Sequence, residues 1–171
     1  MNKDYLKMSL IDIRNSINLE KENWLNNTTT NCYSYALGLD IPESDICKYA
    51  YDPGTIGGSN HPLYIPFSYN NLIDNILLDL KALNIDYKFI KPTDSINNDE
   101  WKIAIYIPKI YTLNYLDDFH FARLRKDNTW YHKNGFIISN LDYYDQPIIN
   151  PETCNMDPYL YMDCLKLKLK K

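Results

Sequence analysis

The sequence predicts an α+β fold built around antiparallel strands, and three observations carry that prediction. Residues 69–83 set Leu72, Ile73, Ile76, Leu77, Leu80 and Leu83 on one helical stripe. Residues 101–107 and 162–170 instead alternate at the period of a strand. Residues 119–125 and 130–134 flank Lys126-Asp127-Asn128-Thr129, whose turn chemistry joins two strands as a hairpin.

The elements follow in order. Leu6, Leu10, Ile13 and Ile17 are spaced three to four apart, so residues 1–20 form an amphipathic helix or an N-terminal extension that packs late. Residues 21–31 are rich in Asn and Thr and read as the loop that delivers Cys32. Cys32 opens a short helix, because Thr30 or Asn31 supplies an N-cap oxygen and Gly38 suits the left-handed residue that ends a helix. Pro42, Pro53, Gly54, Gly57, Gly58 and Pro62 make 40–67 a long irregular segment. Ser68 caps the 69–83 helix, whose stripe packs on a sheet. A short strand covers Ile85 to Ile90, and a stronger one covers Trp101 to Ile107 until Pro108 stops it. In the last strand Leu165, Leu167 and Leu169 are buried, while the intervening lysines mark an edge or solvent face.

Size and charge limit what the chain does. Its 171 residues form one domain, 1–171, large enough to bury about 70% of the unfolded surface without a disulfide or metal. Eighteen Lys and Arg against 22 Asp and Glu leave a net charge of −4, without the basic excess of a nucleic-acid binder. No apolar run approaches a membrane span or a signal peptide, so the expected protein is soluble and cytoplasmic, with delivery to another compartment left open. The cysteines at 32, 47, 154 and 164 include no C-x-x-C pair, so structural zinc spacing is absent. No metal or organic cofactor is expected.

Three residues carry chemistry. A cysteine in the first turn of a helix sits where free N–H groups and the helix dipole favour the thiolate. Such a thiol needs an imidazole within hydrogen-bond reach and a third polar group to orient that imidazole. If the hairpin turns at Asp127 and Asn128, residues whose numbers sum to 252–255 face each other, which sets His120 and His132 on neighbouring strands. Cys32, His120 and His132 therefore fill the three roles, with Asn134 as an alternative orienter two residues along. Plainer readings stand beside these: Cys32 as a small buried residue, His120 at a strand end, His132 facing solvent. His61 reads as a turn residue, and Cys47, Cys154 and Cys164 as structural thiols.

Asn31-Cys32-Tyr33-Ser34-Tyr35-Ala36, then Asp118-Phe119-His120, then Trp130-Tyr131-His132-Lys133-Asn134-Gly135 resemble the papain-like cysteine peptidase superfamily. The nearest branch in size is the NlpC-type and CHAP-type cell-wall hydrolases. That resemblance covers residues 27–38 and 117–135. It implies a nucleophile helix packed on an antiparallel sheet, with Cys32 as nucleophile, His120 as base and His132 as orienter. The Cys32 N–H and Asn26 or Asn27 would hold the oxyanion. The partner it implies is a peptide, protein or peptidoglycan-like amide, not nucleic acid or membrane; oligomeric state is not legible. Asn31 stands where the cell-wall enzymes often carry aspartate, and Tyr33-Ser34 replaces their serine-glycine, so the resemblance bears on thiol chemistry more than on substrate. Pro53-Gly54, Gly57-Gly58 and Ile149-Asn150-Pro151 resemble a group of small bacterial proteins with an Asn-Cys-Tyr box and a Trp-x-His-Lys box.

The expected function is thus a thiol hydrolase cleaving a peptide or amide bond. Acyl transfer and deamidation use the same triad with a different second nucleophile. Two further readings are a binding module that presents the 40–67 loop and tyrosines, and a Cys/His metal site from the same three residues.

Overall fold

The computed structural model describes residues 8–20, 30–40, 51–59, 68–109, 119–135 and 137–171. Asn26, Asn27, Cys47, His61 and Asp118 lie outside the described residues, as does most of the 40–67 segment.

Helix α1 (Leu10–Asn15) is capped by Ser9 and buries only Ile13 fully. Helix α2 (Cys32–Leu37) begins at Asn31, whose side chain accepts the Ser34 N–H at 2.8 Å, and ends at Gly38 with φ +76°. Gly38 is required twice over. Its backbone is left-handed, and a Cβ would stand 2.8 Å from Leu19 Cδ2 and 3.2 Å from an Arg123 nitrogen. Helix α3 (Tyr69–Ala82) is capped by Ser68 and buries Leu72, Ile73, Ile76 and Leu80. The strands are β1 (Ile85–Ile90), β2 (Glu100–Pro108), β3 (His120–Leu124), β4 (Trp130–Asn134), β5 (Ile137–Ser139) and β6 (Tyr159–Leu169).

The fold is mixed α/β: among the described residues six strands form one antiparallel sheet in the order β1-β6-β2-β3-β4-β5, with few helices. The lysine-bearing β6 is interior, between β1 and β2, so its lysines line a face and not an edge. There Lys166 pairs with Glu100 and Lys168 with Asp99. The 137–139 strand has no counterpart in the sequence reading, since three residues are too few to show alternation.

Strand alternation divides the core into two layers. On one face Ile103, Ile105, Ile107, Phe119, Phe121, Leu165 and Leu167 meet Tyr33, Ala36 and Leu37 of α2 and the stripe of α3. On the other, Ala104, Tyr106, Ala122, Trp130 and Cys164 are covered by Ile148 and Met156 from the segment between β5 and β6. Strand β2 is therefore buried on both faces, even at Lys102, which donates to the Pro92 carbonyl at 2.7 Å. Among the described residues no helix is long and apolar enough to cross a membrane.

Buried polar contacts lock α2 to its surroundings. Asp79 of α3 accepts the Tyr33 hydroxyl at 3.0 Å and the backbone N–H groups of Gly54 and Gly57 at 2.7 and 2.6 Å. Asn31 donates to Asp52 at 3.0 Å, which ties the N-terminus of α2 to the same 51–59 segment. Arg123 of β3, fully buried, donates to the Tyr35 carbonyl at 2.9 Å and lies 4.4 Å over the Tyr35 ring. A cation at the C-terminal carbonyls of a helix suits its dipole.

Candidate functional site

The hairpin register pairs Ala122 with His132, Arg123 with Tyr131 and Leu124 with Trp130. His120 therefore lies diagonal to His132 on the same face. Their rings meet: His120 Nε2 and His132 Nδ1 are 2.8 Å apart. His132 Nε2 lies 2.9 Å from the Leu141 carbonyl.

These contacts fix both tautomers. A carbonyl only accepts, so His132 must carry its proton on Nε2 and keep Nδ1 as a lone pair. That lone pair accepts from His120, which carries its proton on Nε2. His120 Nδ1 is then a bare lone pair, available to take a proton.

The pair is dry. His120 is 4% exposed and His132 is 3% exposed. Tyr159 stacks on His120 at 5.2 Å between centroids, and Tyr106 stands 6.2 Å from it. Burial, reinforced by His132, lowers the His120 pKa to about 3, so this imidazole is neutral at ordinary pH. Burial also lowers His132, opposed by the Leu141 carbonyl and by Asp142. Asp142 organises the loop that presents that carbonyl, accepting the N–H groups of Tyr144, Gln146 and Asn155.

Cys32 starts α2 and is half-buried against the helix-side layer. Its thiol donates to the Phe119 carbonyl at 3.6 Å. That carbonyl belongs to the planar peptide joining Phe119 to His120. The thiol therefore sits within one peptide unit of the His120 backbone. Alternation turns Phe119 and Phe121 toward α2 and the two imidazoles toward the opposite layer. The structure thus brings His120 and His132 together directly, and brings Cys32 to the strand end that carries His120.

Lys133 belongs to the site as well. It follows His132, so it faces the α2 side, where it is only 2% exposed and donates to the Gly135 carbonyl. Burial lowers its pKa, opposed by the nearby Cys32. A lysine in a strand ordinarily reads as a solvated face, and no pattern within β4 marks Lys133 as buried, because Trp130 and His132 point to the opposite side. Asn134 is exposed and makes no side-chain hydrogen bond among the described residues, and it is His132 that contacts His120. The other described thiols sit apart: burial pushes Cys164 up to about 12 and raises Cys154.

Among the described residues no three His, Cys, Asp or Glu side chains gather as a metal site. The facing nitrogens of His120 and His132 are bonded to each other and do not converge on a common point. No protein-family model, curated protein or solved structure matches this chain.

Proposed function

We propose that the chain is a papain-like thiol hydrolase of NlpC type, acting on a peptide or amide bond through Cys32, His120 and His132. The observation that carries this reading is the chain of contacts from the Leu141 carbonyl through His132 to His120, which leaves Nδ1 of His120 as a base. An orienter, a base in one tautomer and a nucleophile at a helix start are the parts such a reaction needs.

The reaction requires a movement of the 119–120 strand end, because Cys32 and His120 face opposite layers here: the thiol must leave the Phe119 carbonyl for His120. Its proton passes to Nδ1 as sulfur attacks the substrate carbonyl carbon. The carbonyl electron pair moves to oxygen, held by the Cys32 N–H at the start of α2, the Ser34 N–H being taken by Asn31. Collapse breaks the carbon–nitrogen bond, and the amine departs with the proton from His120. Water, deprotonated by the same nitrogen, then attacks the thioester; sulfur leaves and regains the proton. Because His120 is neutral beforehand, the thiol is activated during attack, without a pre-formed thiolate–imidazolium pair.

A second reading, a papain-like binding module, is favoured by the Cys32 hydrogen bond to the Phe119 carbonyl and by the burial of both histidines on the far face. Acylation by an activated ester separates the two. The hydrolase reading predicts a burst with mass added at Cys32, lost in Cys32→Ala and slowed at least tenfold in His120→Ala. Absence of acylation at Cys32 in the wild type supports the module.

A further inference from the structure

The open edge of the sheet at β1 has the pattern of a strand that pairs with itself. Among the described residues, strand β1 is bonded to β6 on one side only. Lys170 donates its N–H to the Asn84 carbonyl, in register with the pairs Ile85–Leu169 and Asp86–Lys168. In an antiparallel ladder the bonded positions alternate, so Asp86, Lys88 and Ile90 are bonded to β6, while the backbones of Ile85, Tyr87 and Phe89 point outward.

The side chains carry a second pattern. Tyr87 and Phe89 lie opposite the buried Leu167 and Leu165, on the face that α3 covers, yet are 44% and 42% exposed. Leu78 of α3, 42% exposed, overlooks a groove of about 590 Å³ bounded by Leu77, Ile85 and Tyr87. On the other face Lys166, Lys168 and Lys170 pair with Glu100, Asp99 and Asp86. Lys88 stands directly opposite Lys166 and has no ion pair among the described residues. Like charges directly opposite each other destabilise a sheet.

We propose that β1 pairs antiparallel with β1 of a second copy of this chain, centred on Tyr87 facing Tyr87. Only that register satisfies both patterns. It joins the outward backbones of Ile85, Tyr87 and Phe89 to those of Phe89, Tyr87 and Ile85, and sets Lys88 of each copy against Asp86 of the other. A shift of two residues one way opposes Lys88 to Lys88, and the other way Asp86 to Asp86. The two-fold axis is perpendicular to the sheet, so both α3 helices lie on one side and enclose Tyr87, Phe89 and Leu78. A lysine on an edge strand commonly prevents strand addition. Here the same strand supplies the carboxylate that neutralises it.

Sedimentation velocity across the micromolar range tests the pairing, with far-UV circular dichroism to establish that each variant folds. The expected results are a dimeric wild type, monomeric Asp86→Lys and Lys88→Asp single variants, a dimeric double variant, and dimers again when the two single variants are mixed. A monomeric wild type overturns the proposal. So does a wild-type dimer that both single variants retain, or a folded double variant that remains monomeric. None of these outcomes depends on the thiol chemistry.

Discussion

His120 Nε2 lies 2.8 Å from His132 Nδ1, and the Leu141 carbonyl, 2.9 Å from the far nitrogen of His132, decides which of them holds each proton. Long-range proton–nitrogen correlation spectra of the histidines at pH 7 are expected to show both as neutral Nε2–H tautomers. A His120 protonated on Nδ1 would remove the base from the site.

The same burial makes stability depend on pH. In the unfolded chain a histidine binds a proton near pH 6.5, whereas folded His120 resists down to about 3 and His132 is also lowered. Between those limits the unfolded state binds more protons, so stability falls as pH falls, by up to about 1.4 kcal/mol per pH unit for each histidine. Asp79 acts in the opposite sense: burial raises its folded pKa from 3.8 to about 6, so acidification through that window favours the folded state. Urea unfolding at pH 7, 6 and 5 is expected to show a net loss toward acid. In Asp79→Asn that loss is expected to be steeper, because the opposing carboxylate is gone.

Arg123 connects the sheet to the helix that begins at Cys32. Arg123→Met removes a charged hydrogen bond and a stacking contact, and is expected to lower stability by about 2 kcal/mol. It also frees the C-terminal end of α2. Chemical denaturation gives the first effect; slower labelling of Cys32 in the folded variant gives the second. Arg123→Lys keeps the charge but loses the planar stacking, so it is expected to recover only part of either.

Lys133 tests the electrostatics around the thiol. A buried cation beside Cys32 favours the thiolate over the thiol. In Lys133→Met the pH curve for alkylation of Cys32 is expected to move to higher pH, while that of Cys154 stays where it is. An unmoved Cys32 curve would make Lys133 a packing residue only.

Much of this was legible because local rules decided it. Asn31 and Gly38 bound α2 through cap chemistry, and the turn at 126–129 fixes a register whose partners sum to 254, which brings His120 to His132. What escaped has physical reasons. The acceptor that sets the tautomers is the backbone carbonyl of Leu141, which no side-chain pattern announces. Lys102 and Lys133 are buried because the 140–156 segment forms a second layer over one face and α2 covers the other, and neither follows from alternation within a strand. The opposite facing of Cys32 and His120 about the Phe119–His120 peptide is a tertiary relationship that spacing along the chain does not contain.

In the proposed reaction His120 activates Cys32. The most direct test of that step is the rate of alkylation of each cysteine by iodoacetamide from pH 5 to 9, mapped by peptide, in wild type and in folded His120→Ala. Cys32 is expected to react fastest below pH 8 and to lose at least tenfold in the variant, with Cys154 and Cys164 unchanged. Equal Cys32 rates in the two proteins would contradict it.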